Sequence, residues 1–132
     1  MKLSRKILSL AICVALLLSL SVVAFAMISK TFFIREADSH QCIGRGSIDG
    51  NVARAVLTAT ALPNRPVQPG EAYRSKVMLA VRDKNGNFIG TTSREGGTYA
   101  NTTHEAPGSI GSIGCTFEFS GVDLGLYILY NN

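Results

Sequence analysis

Residues 75–93 read SKVMLAVRDKNGNFIGTTS, and this stretch carries the strongest structural signal in the chain. Apolar residues recur at every second position from Val77 to Val81, which is the period of a β-strand with one buried face. Asn85-Gly86 follows, and this pair is the most typical of two-residue type I′ turns, in which both central residues need positive φ. Apolar residues resume after the turn. The stretch therefore predicts a β-hairpin.

The turn also determines which residues of the hairpin lie opposite each other. A two-residue loop at 85–86 places Val81 opposite Gly90 and Leu79 opposite Thr92. Because successive residues of a strand point to opposite faces, Leu79 and Val81 share one face, and we expect that face to be buried.

Strand signals recur on both sides of this hairpin. The further candidates, chosen for alternation and for β-branched or aromatic content, are residues 31–34, 41–47, 51–62, 115–119 and 124–130. A turn signal at Asp49-Gly50 separates the second candidate from the third. Residues 51–62 also fit an Ala-rich helix capped at Asn51, but their Thr and Val content and their period of two favour a strand.

Residues 94–114 are rich in glycine, and the tract 108–114 repeats Gly-Ser-Ile. We interpret this segment as a mobile loop that leads into the strand at 115–119. The strand count is then six or seven, which predicts an all-β fold, a small antiparallel β-sandwich. The chain has no Trp, and Ile113 stands where an immunoglobulin domain has its corner tyrosine, so the prediction concerns the architecture and not a family.

The first 26 residues have the three-part layout of a secretory signal peptide. A basic head ends at Lys6, an apolar run follows at 7–20, and Ala24-Phe25-Ala26 places small residues where a signal peptidase cleaves. The predicted organisation is a signal peptide at 1–26 and a secreted β-sandwich domain at 27–132. The Leu-rich signal with lysine at position two is typical of bacterial exported proteins.

An uncleaved anchor is the alternative. The apolar stretch 7–28 is long enough to span a bilayer core of about 30 Å. In that case the protein is anchored in the membrane by residues 7–28. Because the basic head stays inside, residues 31–132 lie outside the cell in both cases.

Charge argues against a nucleic-acid partner. The whole chain has a net charge of +4, but ten basic and nine acidic residues follow the signal, which leaves the domain close to neutral. There is no basic patch with interleaved aromatic residues, as nucleic-acid binding proteins have. Contact with a membrane is expected only through the N-terminal segment, if it is uncleaved.

Two cysteines, Cys42 and Cys115, follow the predicted signal. An even count in an exported domain predicts one structural disulfide between them. Cys115 alternates with polar residues in phase with Phe117 and Phe119, so we expect its side chain in the core. The alternative is a pair of buried free thiols.

The chain contains no recognisable catalytic or cofactor motif. His40, Cys42, His104 and Cys115 are a possible zinc set by residue type, but Cys115 is expected in the apolar core and His104 in a loop. The GRGS tract at 44–47 lacks the lysine and the following helix of a phosphate-binding loop. We therefore predict no metal, no cofactor and no enzymatic activity.

Two groups of residues are candidates for a binding surface. Tyr127 and Tyr130 lie near the C-terminus, and tyrosine is common at interfaces because it is amphipathic; we expect one of them in the core and one at a sheet edge. Thr98, Tyr99 and Asn101 lie in a stretch, 91–103, that is interpreted as a polar loop.

The leading hypothesis is a secreted or cell-surface, non-enzymatic binding protein whose partner is an unknown envelope glycan or protein. The second is a small secreted antimicrobial or toxin-like protein of the bacteriocin type. The third is a small extracellular hydrolase. Fold alone does not decide between these classes.

Overall fold

The computed structural model describes residue 9, residues 27–66 and residues 73–132. Its strands are β1 (Ile28–Ala37), β2 (His40–Asp49), β3 (Val52–Ala61), β4 (Ser75–Asp83), β5 (Phe88–Gly96), β6 (Tyr99–Glu105), β7 (Ile110–Phe119) and β8 (Val122–Tyr130). They form two four-stranded antiparallel sheets, with the strand orders β1-β2-β3-β6 (the first sheet) and β5-β4-β7-β8 (the second sheet). The predicted all-β sandwich is confirmed, with more strands than the six or seven expected.

The predicted signal peptide, 1–26, lies outside the described residues apart from residue 9. Among the residues that the structure describes, no helix is both long and apolar enough to cross a bilayer.

Tight turns with positive φ connect four of the neighbouring strand pairs. Asp38 and Ser39 both have positive φ (46° and 61°) between β1 and β2, as the central residues of a type I′ turn do. Between β2 and β3 the turn lies one residue later than expected. Asp49 pairs with Val52, and Gly50 is the residue with positive φ.

The β4–β5 hairpin has the predicted register over most of its length but a different turn. Val81 lies opposite Gly90, and Leu79 lies opposite Thr92. The Asp83 amide donates to the Asn87 carbonyl (2.9 Å), which closes a three-residue loop rather than the two-residue loop predicted. A register shift between Val81 and Arg82 compensates for the extra loop residue.

The side chain of Asp83 explains the longer loop. Its Oδ1 accepts hydrogen bonds from the backbone amides of Asn85 and Asn87, each at 2.9 Å. Gly86 has a φ of 84°, whereas Asn85 is not among the residues with positive φ. A turn followed by a left-handed glycine is the common three-residue hairpin loop, and a carboxylate that binds two loop amides stabilises it.

The glycine-rich segment 94–114 is not a mobile loop, so that prediction was wrong. It contains the end of β5, all of β6 and the start of β7. Ile110 and Ile113, from the Gly-Ser-Ile tract, are buried. A bulge at Gly111 brings both isoleucines to the core side, because the register shifts there against Asp83. A Cβ atom on Gly111 would overlap the Asp83 carbonyl oxygen.

The core lies between the two sheets. In β3 the buried residues are Ala53, Ala55, Leu57 and Ala59, which is the period of two of a strand and confirms the strand interpretation of this Ala-rich stretch. The second sheet contributes larger side chains, including Leu79, Phe117 and Phe119. Small residues on one sheet therefore pack against large residues on the other.

The two open sides of the sandwich are closed in different ways. On one side, β5 and β6 lie next to each other, and Thr102 donates a hydrogen bond to Thr92 (2.9 Å). On the other side, an aromatic cluster fills the gap between β1 and β8. Its members are Phe32, Phe33, Phe117 and Tyr127. The ring centroids of Phe32 and Phe33 each lie 5.2–6.1 Å from those of Phe117 and Tyr127, which are 6.2 Å apart.

Neighbouring strand residues normally point to opposite faces, yet Phe32 and Phe33 both join this aromatic cluster. A bulge in β1, between Thr31 and Phe33, allows this. Gly44 and Gly46 of β2 leave the space that the rings occupy. A Cβ atom on Gly44 would overlap the Phe33 ring, and one on Gly46 would lie 2.6 Å from Cε2 of Phe32.

Replacement of Gly44 by alanine tests this packing. Gly44→Ala places a methyl group inside the volume of the Phe33 ring, and we expect a loss of about 1–3 kcal/mol in the free energy of unfolding, as in other overpacked cores. Chemical denaturation measures it. Gly108→Ala is the control, because nothing lies within 4 Å of a Cβ there. In a Phe33→Leu background, Gly44→Ala should reduce the free energy of unfolding by less than it does in the parent. An equal reduction in both backgrounds would show that the new methyl group does not clash with the Phe33 ring.

The hairpin loop gives a second test. Gly86→Val should destabilise by about 1–3 kcal/mol, because a β-branched residue strongly disfavours positive φ. Clashes with the rest of the protein contribute nothing, since no atom beyond the neighbouring residues lies within 4 Å of a Cβ on Gly86. Gly86→Asn is the matched variant and should recover most of the stability, because asparagine tolerates this conformation. Equal stabilities of the valine and asparagine variants would contradict the loop conformation.

Candidate binding surfaces

The outward face of the first sheet brings together the residues that sequence analysis placed in a polar loop. Thr98 lies in the short connection between β5 and β6, whereas Tyr99 and Asn101 lie in β6. The loop interpretation of 91–103 was therefore wrong, because these residues pair with neighbouring strands. The outward side chains in the middle of this sheet form a surface, here called the Tyr99 surface: Ile34, Ile43, Arg45, Ser47, Arg54, Val56, Thr58, Tyr99, Asn101 and Thr103. Asp49 and Glu105 lie on the same face in the row beyond Arg54, each opposite Val52.

The strand register orders the Tyr99 surface into rows. One row crosses all four strands with Tyr99, Thr58, Ile43 and Ile34. Its two ends are open to solvent, since Tyr99 is 54% exposed and Ile34 is 60% exposed. The row thus offers an aromatic ring and aliphatic side chains on a largely polar face.

The neighbouring rows are polar and basic. Asn101, Val56 and Arg45 form the next row, and Arg54 lies opposite Ser47 in the row after it. Arg45 and Arg54 are therefore diagonal neighbours on adjacent strands, and their Cα atoms lie roughly 7–8 Å apart. Neither arginine forms an ion pair with a residue that the structure describes. The Oδ1 atom of Asn101 is buried and accepts no hydrogen bond from a described residue.

A second surface lies on the opposite side of the sandwich. The outward residues of β4, β7 and β8 form it, here called the Tyr130 surface: Met78, Ala80, Gly114, Leu126, Ile128 and Tyr130. Leu126 is 65% exposed, Ile128 49% and Tyr130 60%. A shallow cleft of about 410 Å³ covers most of these residues. These residues are apolar or aromatic and border the open edge of β8, and Arg82 and Ser112 also line the cleft.

The two C-terminal tyrosines have different environments. Tyr127 stacks on Phe32 and Phe33 (ring centroids 5.3 and 5.2 Å apart). Its hydroxyl donates to the Leu124 carbonyl at 2.9 Å. Tyr127 therefore packs within the fold, and Tyr130 is the largely exposed one.

The predicted disulfide between Cys42 and Cys115 is absent. Both are buried free thiols. Both point into the core, but at different levels: a Cβ atom on Gly46 would lie 3.3 Å from Cys115 Sγ, and Gly46 is about 13 Å along β2 from Cys42 at the usual rise of a strand. A disulfide needs Cα atoms roughly 4.4–6.8 Å apart. The prediction is corrected to two separate thiols.

Burial suppresses the reactivity of both thiols. Burial, with a smaller contribution from the Asp38 carboxylate, raises the pKa of Cys42 to about 11. Burial alone raises the pKa of Cys115 to about 12. The thiolate is the nucleophile and the metal ligand, so neither cysteine is prepared for either role at neutral pH.

The four residues of the possible zinc set occupy separate environments. His40 is buried, its Nδ1 donates to the Asp38 carbonyl (2.8 Å), and its ring packs on Tyr73. His104 lies in β6 rather than in a loop, against Gly90 of β5. Within residues 27–66 and 73–132, no three His, Cys, Asp or Glu side chains form a group that could hold a metal ion.

A charged hollow of about 470 Å³ lies at the end of the sandwich near the β7–β8 turn. Its lining includes Arg74 and Lys76 together with Glu95 and Glu118. Ser120 Oγ is buried there without a described hydrogen-bond partner. Charges of both signs lie close together, and the lining contains no histidine or cysteine.

Comparisons of this chain with protein-family models, with curated proteins and with solved structures find no match. A functional assignment therefore rests on the chemistry of the surfaces described above.

The raised pKa values make the stability of the domain depend on alkaline pH. In the unfolded chain the thiols ionise near their ordinary value of 9.0, whereas in the folded protein they keep their protons to about 11 and 12. The unfolded state therefore loses protons first, and the free energy of unfolding falls as pH rises from about 9 towards 11.

Cys115→Ala measures this contribution. Between about pH 9 and 11 the variant should lose stability less steeply than the parent, by up to about 1.4 kcal/mol per pH unit. Denaturation at several pH values gives the two slopes, and the comparison cancels the other groups that titrate there. Parallel slopes would show that the Cys115 thiol ionises equally easily in both states.

Proposed function

We propose that the exported domain is a non-enzymatic binding protein that contacts an anionic envelope glycan through the Tyr99 surface. The observation that carries the proposal is the placement of exposed Tyr99 on the same sheet face as Arg45 and Arg54, two arginines without an ion-pair partner among the described residues.

The two arginines indicate the sign of the ligand. A guanidinium binds carboxylate or phosphate groups with paired hydrogen bonds. The Cα atoms of Arg45 and Arg54 lie on neighbouring strands roughly 7–8 Å apart, and two arginines so placed suit a polymer that carries repeated negative charges. Because both side chains are exposed, salt should weaken the interaction markedly.

The aromatic row supports a ligand that is more than a simple anion. Tyrosine offers an apolar ring and a hydroxyl at low entropic cost, which is why it is common in binding sites. Thr58, next to Tyr99, adds a hydroxyl on the same face. A sugar residue presents both apolar C–H groups and hydroxyls, so ring and hydroxyls fit it together.

Isolated cell-wall material tests the proposal. The exported protein should sediment with it, and Tyr99→Ala or Arg45→Ala should weaken binding about tenfold, the equivalent of about 1.4 kcal/mol. Phe88→Ala is the matched control, because Phe88 is an aromatic residue that is similarly exposed (58% against 54%) on the second sheet and lies outside β8. Binding should also decrease as salt increases.

Two results would contradict this function. Equal losses for the Tyr99 and Phe88 variants would remove the assigned surface. Growth inhibition of neighbouring bacteria without binding to wall material would favour the toxin-like alternative instead.

A further inference from the structure

The four edge strands of the sandwich differ in their protection against pairing with another chain. β5 and β6 lie beside each other and are joined by the Thr92–Thr102 hydrogen bond. β1 carries Lys30, Arg35 and Glu36 and is interrupted by a bulge. Charged side chains and bulges of this kind are the usual protection of an edge strand.

β8 lacks this protection over its second half. Asp123 is its one charged residue, and Leu126–Tyr130 holds five apolar or aromatic residues in sequence. Its bulge lies before that stretch, opposite Phe117 and Glu118. No described strand is hydrogen-bonded to the outer edge of β8.

The hydrogen-bond phase of β8 is known. The Asn131 amide donates to the Gly111 carbonyl at 2.9 Å, so residues 131, 129 and 127 direct their backbone groups towards β7. Backbone groups alternate in direction along an antiparallel strand. The N–H and C=O groups of Leu126, Ile128 and Tyr130 therefore point to the open edge, and the side chains of the same three residues are exposed.

We propose that two copies of the protein associate by antiparallel pairing of β8 with β8, with a two-fold axis at Ile128. This register places Ile128 opposite Ile128 of the other copy and Leu126 opposite Tyr130. At all three positions the backbone N–H and C=O groups point to the open edge. Each opposed pair exchanges two hydrogen bonds, which gives about six main-chain hydrogen bonds across the interface. Two four-stranded sheets then form one continuous sheet.

Charge, hydropathy and the position of the bulge select this register. With the axis at Ile128, Asp123 lies beyond the end of β8 of the other copy, and the exposed side chains of Leu126, Ile128 and Tyr130 each meet an apolar or aromatic one. An axis at Leu126 would instead place Ile128 opposite Leu124, the extra residue of the β8 bulge, where a strand ladder is disrupted. A symmetric contact requires a strand whose side chains match those of the same strand in the other copy. Residues 126–130 meet this requirement, because apolar and aromatic side chains lie opposite each other.

Symmetry also determines what the dimer presents. The two-fold axis is perpendicular to the sheet, so both Tyr99 surfaces lie on the same side of the dimer. If the proposed function holds, a polymer could bind both, and the second contact would gain from effective concentration. This bivalency rests on the proposed function, whereas the pairing of β8 does not.

The mass of the exported protein in solution tests the pairing. Sedimentation equilibrium over a range of concentrations should show a monomer–dimer equilibrium. Ile128→Lys puts two like charges at the axis and should abolish the dimer. Ile34→Lys is the matched control, because Ile34 is exposed at 60% on the edge strand β1, and it should leave the dimer intact. Circular dichroism verifies that both variants remain folded.

A cysteine pair tests the register. Opposed residues in a hydrogen-bonded pair have Cα atoms about 5.5 Å apart, within the range of a disulfide. Ile128→Cys should therefore form an interchain disulfide on mild oxidation. Leu126→Cys, which faces Tyr130 of the other copy, should not. Cys42 and Cys115 are buried and do not interfere.

A protein that is monomeric at all concentrations would overturn the pairing, as would a dimer that survives Ile128→Lys. Cross-linking of Leu126→Cys but not of Ile128→Cys would overturn the register. Loss of wall binding in Tyr99→Ala with an unchanged dimer would distinguish the proposed function from the dimer, because Tyr99 lies outside the β8 interface.

Discussion

The packing of Phe32 and Phe33 against Phe117 and Tyr127 is the contact on which the sandwich depends. It joins the first sheet to the second on the side where β1 and β8 would otherwise leave the core open. Two consecutive side chains of a strand can share one face only at a bulge. Their rings fit only because the neighbouring strand β2 has glycine where they lie. The bulge in β1 and the glycines of β2 are thus parts of one arrangement.

Local patterns predicted much of this fold. Alternation identified β3 and β4, and the register of the β4–β5 hairpin was correct at Val81 and Gly90. The glycines were misinterpreted, because a glycine has the same appearance in a flexible loop, at a bulge and beneath an aromatic ring. Gly111 and Gly46 belong to the last two classes. Only contacts between residues distant in sequence distinguish them, and a single sequence does not contain those contacts.

The candidate surfaces were predictable in composition but not in geometry. Tyr99 and Asn101 were singled out as parts of a polar loop, whereas the pairing of β2, β3 and β6 places them on one sheet face with Arg45 and Arg54. The cysteines show the same limit. Alternation correctly predicted that Cys115 points into the core. Whether Cys42 lies directly opposite Cys115 depends on how the two sheets are positioned on each other, and alternation within one strand does not contain that information.

The aromatic cluster unites residues close to both ends of the described domain, and this has a consequence for how the chain acquires its structure. A chain is synthesised from its N-terminus, so β1 to β3 are complete long before β7 and β8 exist. The β1–β2–β3 meander can form early, but Phe32 and Phe33 stay uncovered until Phe117 and Tyr127 arrive. A chain that ends before β8 would keep two phenylalanines exposed beside an unpaired strand, which is the combination from which aggregation begins.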